Sequence, residues 1–137
     1  MEIIDLTSFE KALTGLFEVI EVYNSDSNNS ITRDSMIQRF EYTYSLSLKM
    51  IKRYFANGAF VFENLEGMTF NEMIRHANKM GLLRSNLEQW NNYRLKRNLT
   101  SHTYDEQIAF EVASIIEDFA QDAKFLLNKL KQIQCTD

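Results

Sequence analysis

Apolar residues recur three and four positions apart along most of the chain, and polar turn formers separate these segments. The first segment is predicted to form a helix from Thr7 to about Tyr23, because Thr7 and Glu10 have the spacing of a capping box. A polar loop over residues 24–30 follows. A second, longer helix is predicted from near Ser30 to Asn57, with Gly58 placed to end it.

The second half of the chain predicts two short helices and a long one. Capping boxes at Thr69 and Ser85 open the short helices. Gly81 ends the first, and the second carries Leu87, Trp90 and Leu95 and runs toward Leu99. Asp105 is an N-cap candidate for a last helix of about 28 residues, spanning roughly 40 Å. Its apolar stripe is long for one small chain, so we expect a partner to cover part of it.

Composition favours helices over other folds. The 137 residues contain no proline and only four glycines, so long uninterrupted helices are favoured. The sequence predicts an all-α fold, an up-and-down antiparallel bundle of four to five helices, in one domain over residues 1–137. The apolar stretch 59–62 fits a strand fragment or a buried loop equally well. With a single cysteine, Cys135, no signal sequence and no membrane-spanning run, we expect a cytoplasmic protein.

Charge is distributed unevenly along the chain. The formal net charge is −4, but residues 33–97 hold 11 positive and 6 negative side chains, a net charge of +5. This excess belongs to the predicted second and fourth helices (Arg33, Arg39, Lys49, Lys52, Arg53, Arg94, Lys96 and Arg97). Two interpretations remain open: two solvated helix faces, or a basic cleft between these helices that suits a phosphate-bearing ligand.

One cluster could carry chemistry, over residues 97–104. Arg97 can hold a phosphate through two parallel bonds, and His102 can exchange a proton near neutral pH. Asn98 and His102, four residues apart, would share a helix face, whereas Arg97 and His102 converge only if the helix breaks or a second copy completes the site. The set suffices for metal-independent RNA cleavage. From these residues alone, a polar junction between helices is the favoured interpretation.

Other catalytic classes lack support. His and Cys residues are too few for a hydrolytic metal site, and no glycine-rich phosphate loop occurs, so we expect neither a metal nor a cofactor. His76 lies in the middle of a predicted helix beside Arg75 and Asn78, as a half-exposed surface histidine would.

The chain resembles the HEPN superfamily and, within it, the HepT-like group, also called nucleotidyltransferase substrate-binding proteins. Residues 97–106 are similar to the group's Arg-x4-His-x-Tyr signature. Residues 33–44 resemble its second-helix signature, and residues 9–13 its opening pattern. The loop at 56–68 matches least well.

The resemblance implies an RNA-cleaving toxin of a toxin–antitoxin pair, active as a homodimer on an RNA such as tRNA or mRNA. Arg97 would bind and polarise the phosphate, His102 would act as acid/base, and Asn98 would orient the substrate or the histidine. The implied antitoxin is an MNT-type nucleotidyltransferase that transfers AMP to Tyr104. The alternative is a non-catalytic substrate-binding subunit of a nucleotidyltransferase complex. A helical scaffold without enzymatic activity remains a third interpretation.

Overall fold

The computed structural model describes residues 3–57, 62 and 64–135, and these residues form helices joined by turns and short loops. The helices are α1 (Thr7–Ser25), α2 (Ser30–Ala56), α3 (Phe70–Lys79), α4 (Leu87–Asn98), a 3₁₀ turn (Thr100–His102), α5 (Glu106–Ala113) and α6 (Ile116–Cys135). This confirms the predicted all-α up-and-down bundle. None of these helices is both long and apolar enough to cross a membrane. Gly58 and residues 59–61, on which two predictions fall, lie outside the described residues.

The core is an aromatic cluster between α2, α4 and α6. Phe119 of α6 lies at its centre and is fully buried. The rings of Phe40, Trp90 and Tyr93 each contact it edge-on, with centroid separations of 5.1 to 6.0 Å. Such edge-to-face pairs add to the stabilisation that burial itself supplies. The cluster therefore fixes α4 relative to α2, which positions the site described below.

Two of the predicted capping boxes are wrong by one or two residues. Thr7 is already inside α1, because the carboxylate of Asp5 accepts the Thr7 backbone N–H at 2.9 Å. Hydrogen bonds from the backbone and the side chain of Thr7 lower the pKa of Asp5. Ser85 donates its hydroxyl to the Asp122 carboxylate at 2.8 Å, so Asn86 caps α4 instead, accepting the Gln89 backbone N–H.

Three other helix-end predictions, at Thr69, Gly81 and Asp105, are confirmed. The Thr69 hydroxyl accepts the Glu72 backbone N–H at 3.1 Å. Asp105 caps α5 by accepting the backbone N–H groups of residues 107 and 108. Gly81 has a φ of +77° and ends α3, because a left-handed residue turns the chain out of the helix at little cost only when it lacks a Cβ.

The predicted last helix is two helices. The Ile115 backbone N–H bonds to the Val112 carbonyl three residues back, and the Ser114 hydroxyl occupies the Glu111 carbonyl, which interrupts the ladder between α5 and α6. The apolar stripe is buried within the chain from Val112 to Leu130. Ile108 and Ile133, at its two ends, are only partly buried, so cover by a partner stays a prediction for the ends alone.

Leu95, one of the apolar residues of α4, lies outside the core, with its side chain 55% exposed. Trp90 and Tyr93 form the buried side of α4. Leu95 follows Tyr93 by two residues, about 200° around the helix, and so points to the opposite side.

A buried carboxylate links α6 to α4 and to the two residues that precede its N-cap. Asp122 is 1% exposed and accepts hydrogen bonds from Arg84 Nε and Ser85 Oγ, both at 2.8 Å, and from the Tyr93 hydroxyl. Burial of the phenol, together with its bond to Asp122, raises the pKa of Tyr93. We call these four residues the Asp122 network.

Candidate functional site

The segment predicted to carry chemistry lies where α4 ends and the chain turns into α5. Arg97 and Asn98 form the last residues of α4. The Thr100 hydroxyl donates to the Arg97 carbonyl at 2.8 Å, and the His102 backbone N–H bonds to the Leu99 carbonyl, so the chain tightens into a 3₁₀ turn. The predicted helix break is confirmed. Because α4 ends at Asn98, Asn98 and His102 do not share the helix face expected from their spacing.

The break divides the four predicted residues into two pairs. Arg97 and Asn98 line a cavity between α2 and α4, whereas His102 and Tyr104 are not among its lining residues. His102 and Tyr104 lie on the exposed turn beyond, with ring centroids 6.3 Å apart. Tyr104 is 86% exposed, the most exposed large aromatic or aliphatic side chain of the described residues.

The cavity between α2 and α4 has a volume of about 540 Å³ and a strongly basic lining. Four cations line it: Lys49 and Lys52 from α2, and Arg94 and Arg97 from α4. None of its lining residues is acidic. We call this cavity and its four cations the basic cleft. The interpretation that the charge excess forms a cleft, rather than two separate solvated faces, is supported for these residues.

None of the four cations takes part in the ion pairs formed within the described part of the chain. The spacing explains their convergence, because residues three apart on a helix project from one face. Lys49 and Lys52 have this spacing on α2, as have Arg94 and Arg97 on α4. Four like charges with no carboxylate among them favour an anionic ligand.

The remaining wall of the basic cleft is aromatic and apolar. The Arg94 guanidinium lies over the Phe70 ring, 4.8 Å from its centroid, and this cation–π contact orients it. Tyr44 is nearly buried, and burial raises the pKa of its hydroxyl to about 12, although the nearby charges of Arg94 and Arg97 act in the opposite direction. Tyr44 is therefore a neutral donor at the bottom of a positively charged cavity.

Other predicted basic residues have structural partners instead. Arg33 is buried, with its Nη2 bonded to Glu106 at 3.1 Å and its guanidinium over the Phe110 ring. Arg39 donates to the Gly15 carbonyl at 2.7 Å. Sequence reasoning missed Tyr44 and Phe70 as lining residues, although Tyr44 precedes Lys52 by eight residues and so lies on the same α2 face.

His76, read from the sequence as a half-exposed surface histidine, is partly buried on α3. Its ring packs edge-on against Phe62 and Phe55, with centroids 5.0 and 6.4 Å away. It does not line the basic cleft. In the described part of the chain, no three His, Cys, Asp or Glu side chains come together as a metal-binding group.

Comparison with known proteins agrees with the resemblance of the motifs. The probable ribonuclease HepT of Haemophilus influenzae is 39% identical over 111 residues, which cover 78% of this chain and 75% of that protein. A solved Haemophilus influenzae structure, described as the fold of a substrate binding domain of a nucleotidyltransferase, aligns with a TM-score of 0.83 at 34% identity. That alignment covers 93% of this chain and 99% of the other.

A solved Thermus thermophilus protein aligns with a TM-score of 0.71 at 33% identity, over 89% of this chain and 98% of its own. The family described as nucleotidyltransferase substrate binding protein like matches residues 4–132. This match takes in all the helices described above, except the last residues of α6, and the whole basic cleft. The chain belongs to the nucleotidyltransferase substrate binding protein like family.

Proposed function

We propose that this protein is a metal-independent endoribonuclease that acts as the toxin of a toxin–antitoxin pair. The observation that carries the proposal is the position of Arg97 in a cleft of four cations that form no ion pair with any described residue, one turn before an exposed histidine. The similarity to a probable ribonuclease supports the same reaction class.

In this reaction Arg97 binds the scissile phosphate and stabilises the charge that accumulates on the pentacoordinate phosphorus. The 2′-hydroxyl of the RNA attacks its own phosphorus, a base removes its proton, and the bond to the 5′-oxygen breaks as an acid protonates that oxygen. His102 performs the proton transfer, and the Asn98 carboxamide, exposed at the edge of the cleft, orients the substrate or the histidine.

The reaction needs both an acid and a base, and each chain has one histidine at this turn. His102 also lies outside the cleft that Arg97 lines. A homodimer solves both difficulties if the second copy brings its own His102 to the cleft. We therefore propose that the active form is a homodimer in which two copies of the motif share one site.

Tyr104 is proposed as the point of control. Its exposed phenol is accessible to a separate nucleotidyltransferase, whose transfer of AMP would join the phenol oxygen to the α-phosphorus of ATP and release pyrophosphate. The added phosphate would stand next to His102, whose ring is 6.3 Å from that of Tyr104. It would compete with RNA phosphate through occupancy and like charge. The proposed partner is accordingly an MNT-type nucleotidyltransferase that serves as the antitoxin.

A second function is favoured by the likeness to a structure described as a substrate binding domain of a nucleotidyltransferase. In this alternative the protein is a non-catalytic subunit that presents a substrate to the transferase. The two functions differ in one observable: the subunit alone would leave RNA intact while still forming a stable complex with the transferase.

The test of the nuclease compares two histidine variants. Expression of the wild type is expected to arrest growth, and the purified protein to cleave RNA in the presence of a chelator. His102→Ala should lose both effects. His76→Gln, which alters the other histidine of the chain, should retain them. Equal toxicity of His102→Ala would contradict the mechanism, and intact RNA with a stable transferase complex would favour the subunit.

The test of the modification uses intact-mass analysis after incubation with the nucleotidyltransferase and ATP. One added AMP is expected in the wild type and in Tyr42→Phe, which removes another exposed phenol. Tyr104→Phe should remain unmodified. Undiminished labelling of Tyr104→Phe would move the acceptor to another side chain.

A further inference from the structure

The basic cleft continues into a second cavity. That cavity lies between α1 and α2, has a volume of about 930 Å³, and shares Ser45 and Lys49 with the basic cleft. Its α2 wall includes Arg39 and Tyr42. Five of the α2 residues that line the two cavities follow one another at intervals of three and four, which places them on one face of the helix (Arg39, Tyr42, Ser45, Lys49 and Lys52). We call this continuous surface the α2 groove.

The α2 groove is positively charged along its length. Lys11 and Arg39 extend the row of cations beyond the basic cleft, with Arg39 oriented by its bond to the Gly15 carbonyl. Glu18 is the one carboxylate among the described residues that line the two cavities. Arg39 and Lys11 take part in none of the ion pairs formed by the described residues. From Arg39 to Lys52 the groove follows α2 for about 20 Å. One phosphate would occupy only a small part of it.

The groove also has surfaces that suit unpaired bases. Leu48, Met68, Phe70 and Met73 form an apolar wall beside the cations of the basic cleft. The Arg94 guanidinium, 4.8 Å from the centroid of the Phe70 ring, adds a planar group to this wall. Bases can reach such surfaces only when they are not paired with a second strand, because pairing turns them into the helix.

We propose that the α2 groove binds single-stranded RNA next to the scissile phosphate, with Lys49, Lys52 and Arg94 contacting phosphates that do not react. This inference rests on the proposed ribonuclease function and adds to it the path and strandedness of the substrate. Lys49 and Lys52 act in binding only, so their loss weakens the association without removing a reacting group.

The test measures binding of a fluorescently labelled single-stranded RNA of about 12 nucleotides to the full-length chain, in a His102→Ala background. This background prevents cleavage from distorting the binding curve. The test variant is Lys49→Gln/Lys52→Gln, whose two side chains are exposed, so no packing is lost. The matched control is Lys124→Gln/Lys129→Gln on α6, which removes the same charge and lines neither cavity.

Each phosphate contact on a single strand contributes about 0.7 to the slope of log affinity against log salt concentration. The test variant is expected to lower this slope by about 1.4, and its affinity should fall by about tenfold or more for each lysine at roughly 50 mM salt. The control should leave the slope unchanged and change the affinity by less than about twofold. A duplex of the same sequence should bind more weakly to the unaltered groove than the single strand.

Three results would overturn the proposal: an unchanged slope in the test variant, an equal loss in both variants, or duplex binding as tight as single-strand binding. These outcomes can be distinguished from a failure of the proposed ribonuclease function. If the wild type cleaves RNA while Lys49→Gln/Lys52→Gln binds normally, the nuclease stands and the groove is not its substrate path. If binding depends on both lysines but His102→Ala cleaves normally, the groove stands and the mechanism fails.

Discussion

The Asp122 network and the basic cleft place arginine side chains in opposite situations. In the network, Arg84 bonds to a buried carboxylate at 2.8 Å, together with Ser85 and Tyr93. In the cleft, Arg94 and Arg97 face two lysines, with no carboxylate among the lining residues that the structure describes. Removing one partner of a buried ion pair is strongly destabilising, whereas clustered charges of one sign raise the energy of the empty fold and lower it when an anion binds. Ion pairing, rather than residue type, separates the structural arginines from the candidate functional ones.

The largest expected effect is on stability, in the Asp122 network. Asp122→Asn keeps the shape of the side chain but removes its charge, which leaves the Arg84 guanidinium and the Tyr93 hydroxyl without an anionic acceptor. We expect the free energy of unfolding to fall by about 3 kcal/mol, measured by urea denaturation. Asp118→Asn, an exposed change on the same helix, should cost about 0.5 kcal/mol. Equal losses in the two variants would remove the distinction between paired and unpaired charge.

A smaller effect is expected where the basic cleft meets the core, at Tyr44. Its pKa is about 12 in the fold and 10.0 for an unperturbed phenol, so between these values the unfolded chain releases a proton that the folded chain retains. Stability is therefore fully present below about pH 10 and falls toward pH 12, by up to about 1.4 kcal/mol per pH unit from this group. Tyr44→Phe should remove that part of the decline.

The measurement compares urea unfolding near pH 8 and near pH 11. Tyr42→Phe, which removes an exposed hydroxyl on the same helix, should retain the decline of the wild type. A wild-type decline in Tyr44→Phe would mean that water reaches the bottom of the cleft and that burial does not govern Tyr44.

How much of this could be predicted from sequence differs between the fold and the site. Thr69, Gly81 and Asp105 mark helix ends through local chemistry, so the all-α bundle was predictable. The break at residues 114–115 was not, because neither glycine nor proline marks it and the apolar spacing runs through it. The break forms because the local hydrogen bonds and the burial of α5 and α6 stabilise the chain more than one further turn of continuous helix would.

For the site, sequence identified the charge excess and the segment from Arg97 to Tyr104, but not which cations have partners. Arg33 and Arg97 look alike in the sequence. Arg33 lies within 3.8 Å of the adjacent Asp34, but its closer partner is Glu106, 73 positions away, at 3.1 Å, and nothing local in the sequence predicts that contact. Pairing over such distances depends on how the helices pack, and it therefore has to be observed in the structure.

The smallest expected effect lies in the basic cleft itself. If its cations are there for a ligand, neutralising two of them should not destabilise the empty protein. Lys49 and Lys52 are like charges one turn apart, and Lys49→Gln/Lys52→Gln should raise the free energy of unfolding by about 0.3 kcal/mol at low salt. The gain should disappear near 1 M salt, where charges more than about 3 Å apart are screened.

Urea unfolding at both salt concentrations, with Lys131→Gln as the comparison, provides the measurement. Lys131 pairs with Glu10, so its loss should have the opposite sign. Destabilisation of Lys49→Gln/Lys52→Gln at low salt would show that these lysines have structural partners, and the contrast with the Asp122 network would then disappear.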